Sequence, residues 1–501
     1  MLTKNGQLLL AKSEDVSLCL LPSMANRHGL ITGATGTGKT VSLQVIAESL
    51  SALGVPVFIT DIKGDVSGVA NPGKDSPKIT DRVAKMGLTD EGYAFKGSPV
   101  CFWDIFGKDG HPLRTTISEM GPILMSRILD LNDTQSGVMQ LLFRIADDNG
   151  LLLLDLKDLR KMTEYVADNR AEFSKGYGNL ATATLGAIQR GLLGLEEQGG
   201  DVFFGEPALE PRDFIRVGDG GKGVINILAA DKLMQSPRIY GAFILWLLSE
   251  FYENLPEVGD LPKPKMVLFF DEAHLLFSNA PKILLERIEQ VVRLIRSKGV
   301  GIYFITQNPA DIPESVLTQL GNRVQHALRA YTPREQKAIR AAAGAFRPNP
   351  AFKTEDVITE LGVGEALVST LDVKGIPGMV ERALMLPPES QIGPLSPDER
   401  QMIVKQSLLY GKYDNAVDRE SAYEILTTRV LQRAQDASAE AQAAAEAKAA
   451  KGKKNGSFAG ELMDDFLKKT KQSVTRNVAN EVGRTLIRGI LGSLFGGSKK
   501  K

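Results

Sequence analysis

The chain has 501 residues, of which 43% are hydrophobic and 24% charged, and its 60 basic residues balance its 60 acidic ones. This length exceeds one ordinary core, so we expect a large domain with insertions and appendages. Zero net charge argues against a chain coated with basic residues for nucleic acid, although it allows a local basic channel. Two cysteines exclude a disulfide framework, and the sequence shows neither a signal peptide nor a membrane span, which predicts a cytoplasmic protein.

The first 75 residues are expected to contain a hairpin and the first part of an α/β core. The apolar stretches GQLLLAK and VSLCLLP predict a short hairpin within residues 1–30. After it, HGLITG ends an apolar stretch typical of a strand, and KTVSLQVIAESLSALG has the apolar spacing of a helix. The sequence therefore predicts a strand, a glycine-rich loop and a helix in succession.

The loop between this strand and helix has the spacing of a phosphate-binding loop. Gly33 is followed after four residues by Gly38, Lys39 and Thr40. In such a loop the backbone N–H groups surround a phosphate, and a Cβ would block the turn. Lys39 would contact the β and γ phosphates, the Thr40 hydroxyl would bind Mg²⁺, and the helix would add its positive end. The predicted nucleotide-binding residues are Gly33, Thr35, Gly36, Thr37, Gly38, Lys39, Thr40 and Val41.

A second apolar stretch, VPVFITDIKGD at 55–65, predicts a buried strand parallel to the first. Asp61 falls at its carboxyl end, beside the expected phosphate site, and Lys63 and Asp65 lie on the following turn. Asp61 would orient water or bind Mg²⁺, or it would instead serve turn chemistry and a helix cap. The sequence leaves both interpretations open.

Residues 76–220 are expected to form a mainly helical insertion, because the next motif is too far along the chain for a minimal core. The segment contains one stretch typical of a strand, PVCFWDIFG, among several helical patterns. GKGVINIL then returns to the sheet and begins the second part of the core, residues 221–390.

The stretch KMVLFFDEAH at 265–274 predicts a buried strand that ends in two acids. Asp271 would hold the Mg²⁺ shell. Glu272 would orient and deprotonate the attacking water, because hydrolysis needs a base in line with the γ phosphate. The paired acids also separate this chain from most P-loop kinases, whose acceptor is not water. His274 is interpreted as a polar residue at a helix start, with a functional role as the alternative.

Three further polar residues follow in the second part of the core. Gln307 stands at the carboxyl end of the strand GVGIYFIT. There its amide would contact the γ phosphate or the attacking water and sense the loss of the γ phosphate. Arg296, in RSKG, and Arg323, in LGNRVQHALRAYTPRE, are candidates for an arginine supplied across a subunit interface to stabilise transition-state charge. For each arginine the alternative is an exposed salt bridge, which contributes little.

The C-terminal region divides into three predicted segments. Residues 391–433 form helices, and residues 434–456 are a low-complexity, solvated and semi-rigid linker. Residues 457–501 form an amphipathic basic tail, in which apolar residues recur every four positions and arginines lie off that stripe. This tail would dock on its own ring or on a protein partner, would lie on a membrane surface, or would have no binding role.

Together these motifs resemble the HerA/FtsK superfamily of ring-forming motor ATPases, and in particular the bacterial HerA-like group that carries the DUF853 domain. The resemblance implies an α/β fold: a RecA-like P-loop NTPase core with a mostly parallel sheet flanked by helices, a mainly helical insertion and a C-terminal helical tail. It also implies ATP as the nucleotide, a homo-hexamer, and Arg296 as the finger that acts across the interface. The stretches that carry it are NRHGLITGATGTGKT, FITDIKGDVSG, LFFDEAH, RSKGVGIYFITQNP, GNRVQHALRAYTPRE and LGVGEALVS.

The resemblance gives one leading hypothesis for function and leaves one alternative. Relatives pump or unwind duplex DNA, so the leading hypothesis is an ATP-driven DNA translocase or helicase-like motor. The alternative is an ATP-switched scaffold or regulator that acts on a protein partner without moving on DNA. Archaeal HerA proteins carry an N-terminal β-barrel that helps to dock a nuclease, and the glycine loop here begins at Gly33. The resemblance therefore leaves a nuclease partner open.

Overall fold

A computed structural model describes residues 1–14, 16–178, 180–278, 282–330 and 332–452 of the chain. The predicted tail at 457–501 and the last residues of the predicted linker lie outside this part. Met1–Thr427 forms one compact unit, and a second unit begins at Thr428.

The first unit is organised around a twelve-stranded sheet with the spatial order β2-β1-β12-β11-β10-β3-β9-β8-β4-β7-β5-β6. Neighbouring strands from β10 across to β6 pair in parallel, whereas neighbouring strands from β10 across to β2 pair antiparallel. In chain order the strands are β1 (Leu8–Lys12), β2 (Ser17–Leu20), β3 (Gly29–Thr32), β4 (Val57–Asp61), β5 (Val100–Asp104), β6 (His111–Pro112), β7 (Ile225–Ala229), β8 (Met266–Phe270), β9 (Val300–Thr306), β10 (Asn322–Gln325), β11 (Glu365–Ser369) and β12 (Glu381–Met385).

Helices flank this sheet, and the last one runs into the second unit. Within the described residues they are α1 (Lys39–Ala52), α2 (Pro77–Lys85), α3 (Ile117–Ile128), α4 (Asp133–Asp148), α5 (Leu156–Asp168), α6 (Arg170–Tyr177), α7 (Thr182–Leu195), α8 (Asp201–Phe203), α9 (Pro237–Asn254), α10 (His274–Ser278), α11 (Lys282–Leu294), α12 (Glu314–Leu317), α13 (Pro333–Gly344), α14 (Thr354–Glu360), α15 (Pro397–Gln406) and α16 (Ala422–Gly452). No helix among the described residues has the length and apolar character needed to cross a membrane.

The central strands are continuous apolar runs because helices cover both faces of the sheet. Every residue of β4, β8 and β9 is buried. Successive side chains of a strand point to opposite faces, and β4 shows the result. Phe58 joins the core that contains Phe243 of α9, whereas Ile59 joins the core that contains Ile46 of α1. The α/β class with a mostly parallel sheet, predicted from the sequence, is confirmed.

Residues 76–220, predicted as a mainly helical insertion, also contribute strands to the core sheet. They contain α2 to α8, but β5 pairs in parallel with β7, and β6 continues the same sheet beyond β5. The segment therefore widens the core sheet as well as covering it. The N-terminal hairpin of β1 and β2 joins the opposite margin by pairing with β12.

The low-complexity segment is helical as far as the structure describes it. Helix α16 starts with Ala422 and Leu426 buried and continues to Gly452, and most side chains between residues 428 and 447 are exposed. Alanine, glutamate, glutamine and lysine favour a helix even where no apolar face is buried.

Candidate nucleotide-binding site

The carboxyl ends of four neighbouring strands bring the predicted site residues to one edge of the sheet. Strand β3 leads into the glycine loop, β9 ends before Gln307, β8 ends before Asp271 and Glu272, and β4 ends at Asp61. Strand β9 lies between β3 and β8 in the sheet. Because parallel strands present their carboxyl ends at the same edge, residues far apart in sequence surround one crevice.

Three glycines shape the loop at this edge. Gly33, Gly36 and Gly38 have positive φ values of 151°, 79° and 117°, which side chains with a Cβ rarely adopt. A Cβ on Gly33 would lie 2.5 Å from the Cβ of His326, so the loop is also closely packed. Gly38 caps α1, which begins at Lys39. The N-terminal end of a helix thus faces the crevice, an arrangement suited to an anion.

The ammonium of Lys39 lies inside the loop. Its Nζ donates hydrogen bonds to the carbonyls of Gly33 at 2.7 Å and Ala34 at 3.1 Å. Lys39 is only 6% exposed, and burial lowers its pKa despite the opposing charge of Glu272. A buried ammonium that donates its hydrogen bonds to neutral carbonyls is well placed to exchange them for phosphate oxygens.

Three aspartates close to the loop each have one buried side-chain oxygen without a hydrogen-bond partner among the described residues. These oxygens are Oδ1 of Asp61, Oδ1 of Asp65 and Oδ2 of Asp271. Burial, with the charge of Asp65, raises the pKa of Asp61 to about 6. Burial, with the charge of Glu272, raises the pKa of Asp271 to about 7. Buried charges are normally paired or bound to metal, so these groups indicate a place for a cation.

The two interpretations of Asp61 are compatible in the structure. Its Oδ2 accepts a hydrogen bond from the Val66 N–H at 3.2 Å, which is turn chemistry. Its Oδ1 remains without a partner among the described residues. One oxygen therefore fixes the turn, and the unpartnered oxygen leaves the role in binding water or Mg²⁺ a prediction.

The residues at this edge fit a Mg²⁺ ion that is bound together with nucleotide phosphates. Within the described residues, no group of three or more histidine, cysteine, aspartate or glutamate side chains could hold an ion alone. Mg²⁺ in phosphate sites usually keeps several waters and binds one or two carboxylates plus phosphate oxygens. The carboxylates of Asp271 and Asp61 and the hydroxyl of Thr40 are oxygen donors of that kind.

Glu272 is a buried carboxylate with a cationic partner. Its Oε1 accepts a hydrogen bond from Lys63 Nζ at 2.5 Å, and Gln307 Nε2 lies 3.5 and 3.4 Å from its two oxygens. His274 Nδ1 lies 3.4 Å from Oε2. Burial acts to raise the pKa of Glu272, but the hydrogen bond and charge of Lys63 outweigh it and the pKa is lowered. Glu272 also has a φ of 45°, an uncommon backbone conformation for a non-glycine residue.

Two stretches outside the predicted site hold the glycine loop in place. His326 Nδ1 lies 2.9 Å from the carbonyl of Glu365, and its Nε2 lies 2.8 Å from Ser42 Oγ of α1. Burial lowers the pKa of His326 to about 4, so the ring is neutral, donates to the carbonyl and accepts from the serine. The N–H of Gly364 also donates to the carbonyl of Thr37 at 2.9 Å. No sequence pattern around His326 predicts this role.

The two predicted arginines do not join these residues. Arg296 precedes β9, and Arg27 precedes β3, so both lie at the amino edge of the parallel strands. Both approach Asp260 Oδ1, at 3.8 Å from Arg296 Nη2 and 3.5 Å from Arg27 Nη2. The seven residues of β9 span roughly 23 Å at ~3.3 Å per residue. Arg296 is therefore far from the nucleotide site of its own chain.

Arg323 is used inside its own chain. Its guanidinium donates hydrogen bonds to the carbonyls of Leu320, Ala345 and Leu317 at 3.0, 3.2 and 3.0 Å. Burial lowers the pKa of Arg323. This arrangement ties β10 to the segments at the ends of α12 and α13, a role that neither sequence interpretation included.

A mostly parallel sheet whose carboxyl edge combines a glycine loop, a buried lysine and paired acids has the features that define the P-loop NTPase class. Proteins of this class bind nucleotides. The chain is a member of the helicase HerA-like C-terminal family, whose model matches residues 6–501. The predicted HerA/FtsK relationship is thereby confirmed.

Curated relatives are similar over most of this chain but are longer. The chain is 22% identical over 365 residues to the DNA double-strand break repair helicase HerA of Sulfurisphaera tokodaii, covering 71% of this chain and 64% of that protein. The HerA protein of Sulfolobus acidocaldarius is 20% identical over 364 residues, covering 72% and 65%. The chain thus spans less than two thirds of the length of these relatives.

Solved structures with a similar arrangement include two bacterial proteins. The plasmid coupling protein TrwB in complex with ADP and Mg²⁺ has 15% identity and a TM-score of 0.49, covering 77% of this chain and 91% of that one. VirB4 of Thermoanaerobacter pseudethanolicus has 15% identity and a TM-score of 0.46, covering 79% and 99%. Similarity at this level does not bear on function.

Proposed function

We propose that this chain hydrolyses ATP with Mg²⁺ and, as a ring of identical subunits, moves along or unwinds duplex DNA. The convergence of Lys39, Glu272 and Gln307 on the glycine loop supports hydrolysis. The proposal of DNA as the substrate rests on membership of the HerA-like family and on the helicase relatives. A hexamer is the assembly that the sequence resemblance implies.

The glycine loop and Lys39 would bind the triphosphate. The backbone N–H groups between Gly33 and Val41, including those of Thr35, Gly36 and Thr37, would surround the phosphates at the start of α1. Lys39 would exchange the carbonyls of its own loop for oxygens of the β and γ phosphates. Because the ammonium is buried, the resulting charge pair would be stronger than one in water.

The acids next to the loop would complete the binding of the metal nucleotide. Mg²⁺, when bound, would neutralise charge that develops on the phosphates. Thr40, Asp271 and Asp61 are the residues proposed to hold it, directly or through its waters. The raised pKa values of the two aspartates agree with a place where a cation is needed to stabilise their charged forms.

Glu272 and Gln307 would act on the attacking water. As the water oxygen forms its bond to the γ phosphorus, Glu272 would accept a proton from it, and the bond from that phosphorus to the bridging oxygen would break. The products are ADP and inorganic phosphate. The amide of Gln307, which lies near both carboxylate oxygens, would hold the water in line or register the γ phosphate.

The position of Arg296 supports self-association. Lying at the edge opposite its own site, it could stabilise transition-state charge only in the site of a neighbouring subunit. Arg323 would have to give up three carbonyl partners in its own chain to act in this way. Arg296 is therefore the better candidate for the arginine that acts across the subunit interface.

Steady-state ATP hydrolysis tests this proposal. We would measure the purified protein with and without linear duplex DNA at low and moderate salt, with Glu272→Gln as the blank. Stimulation of several-fold that fades with salt is expected for a motor that grips the phosphate backbone. Hydrolysis that depends on Glu272 but ignores DNA would favour the ATP-switched scaffold acting on a protein partner. Hydrolysis unaffected by Glu272→Gln would contradict the assigned chemistry.

A further inference from the structure

The ammonium of Lys63 forms an ion pair with the carboxylate of Glu272, the base proposed for hydrolysis. Lys63 Nζ lies 2.5 Å from Glu272 Oε1. A carboxylate that accepts a hydrogen bond from a cation binds a proton less readily. This contact must therefore loosen before Glu272 can accept a proton from water.

Lys63 is the partner that is free to move. Its side chain is 42% exposed and lies on the turn after β4, whereas the side chain of Glu272 is 6% exposed. The backbone around Glu272 is also fixed, because its N–H donates to Asp271 Oδ1 at 2.9 Å and the next N–H, of Ala273, donates to the carbonyl of Ile305 at 2.8 Å. A lysine has a flexible four-carbon stem that can carry its charge to a new partner.

The surroundings of Lys63 indicate where the ammonium would go. The negative groups that act on it are Glu272, Asp271 and Asp65, and its own charge acts on Lys39 inside the glycine loop. Lys63 therefore lies within the electrostatic field of the phosphate site. A triphosphate adds the charge of its terminal phosphate to this field, and a diphosphate does not.

We propose that Lys63 is a positioning residue that holds Glu272 until a triphosphate binds and then transfers its ammonium to the terminal phosphate. Glu272 is thus released only when there is a phosphate bond to break. This inference rests on the proposed function and adds to it a device that couples the general base to occupancy of the site.

Equilibrium binding of ATPγS and ADP, each with Mg²⁺, tests the transfer in the full chain. Lys63→Gln is expected to weaken ATPγS roughly tenfold, the effect of losing one hydrogen bond to a charged group. ADP binding is expected to stay within about twofold, which also reports that the variant is folded. Lys63→Arg, which keeps the charge, is expected to retain most of the preference for ATPγS.

A double-mutant cycle adds a result that a merely structural ion pair would not give. Glu272→Gln should tighten ATPγS binding several-fold, because Lys63 no longer has to leave a carboxylate. In the double variant with Lys63→Gln this gain should vanish. The matched control is Lys96→Gln, since Lys96 is 52% exposed and pairs at 3.2 Å with Glu389, whose side chain is 10% exposed, outside the site.

Three results would overturn the role of Lys63. These are an unchanged ratio of ATPγS to ADP affinity in Lys63→Gln, a gain from Glu272→Gln that persists in the double variant, and an equal shift of the ratio in Lys96→Gln. If both nucleotides bind and hydrolysis depends on Glu272, such a result removes only this inference. If neither nucleotide binds the wild-type chain, the proposed function fails together with it.

Discussion

The two edges of the parallel sheet hold their charged side chains in different ways. At the carboxyl edge, Asp61 and Asp271 are 1% and 4% exposed and each keeps an oxygen without a hydrogen-bond partner among the described residues. At the amino edge, the side chains of Arg296 and Asp260 are 41% and 80% exposed and lie 3.8 Å apart. Buried, incompletely paired charge reduces stability, whereas an exposed pair contributes little. Under the proposed function, the carboxyl edge receives charge from a ligand and the amino edge offers charge to a neighbouring subunit.

The largest expected effect comes from removing the Arg296 side chain at the amino edge. Arg296→Ala should lower hydrolysis by about 10³-fold or more, as removal of an arginine finger does, while nucleotide binding is retained. Mixing this variant with Lys39→Ala should restore part of the activity, because a Lys39 site in one subunit can then face an intact Arg296 in the next. Steady-state hydrolysis across mixing ratios measures this recovery.

The matched control for this prediction is Arg160→Ala. Arg160 is 42% exposed at its side chain and pairs with Glu196 at 2.6 Å, so its loss should leave hydrolysis unchanged. If Arg296→Ala hydrolyses ATP like the wild type, or if mixtures only average the two variants, Arg296 does not act across an interface.

The next largest effect tests the carboxyl edge itself. Glu272→Gln keeps the size of the side chain but removes the base, so hydrolysis should fall by about 10² to 10⁴-fold. ATP binding should persist, because Lys39 and the glycine loop are unchanged. Glu389→Gln, a change at another buried glutamate that pairs with an exposed lysine, should have no comparable effect. A wild-type rate in Glu272→Gln would show that another group accepts the proton.

Most site residues of the carboxyl edge could be predicted from the sequence because strand geometry is regular. The spacing around Lys39 defines a phosphate loop, and acids or amides that follow buried parallel strands must share an edge. Asp61, Asp271 and Gln307 follow from that rule alone.

The remaining parts depend on contacts that local patterns do not encode. Lys63 contacts Glu272, which lies 209 positions away in the sequence, and His326 contacts Ser42, which lies 284 positions away. A lysine on a turn and a histidine after a strand have many ordinary explanations, and only the folded chain shows their partners. For the same reason PVCFWDIFG could be identified as a strand while its place in the core sheet, beside β7, could not.

A smaller effect concerns stability at the amino edge, where His28 precedes β3. His28 is fully buried, its Nδ1 accepts a hydrogen bond from the Ile302 N–H at 3.0 Å, and burial lowers its pKa to about 4. The unfolded chain takes up a proton near pH 6.5. The stability contributed by neutral His28 is therefore complete above that pH and is lost as the pH falls towards 4. At pH 4.5 the loss is roughly 2.5 kcal/mol.

The variant His28→Asn isolates this dependence. Asparagine keeps an acceptor, tolerates the φ of 59° and does not titrate. The free energy of unfolding should therefore fall less steeply between pH 7 and pH 4.5 in this variant than in the wild type, whatever its absolute value. Denaturant titrations at a series of pH values measure the two slopes, and equal slopes would show that His28 does not contribute.

The smallest expected effect concerns the ion pair between Asp260 and Arg296 at the amino edge. Asp260 is 80% exposed at its side chain and lies 3.5 Å or more from its two arginine partners. Asp260→Asn should change the free energy of unfolding by about 0 to 1 kcal/mol and hydrolysis by no more than about twofold. Such a result would mean that the Arg296 side chain can give up Asp260 and contact a neighbouring subunit at little cost. A loss of hydrolysis as large as that of Arg296→Ala would instead mean that Asp260 positions the arginine, so that the amino edge is a preorganised part of the catalytic interface.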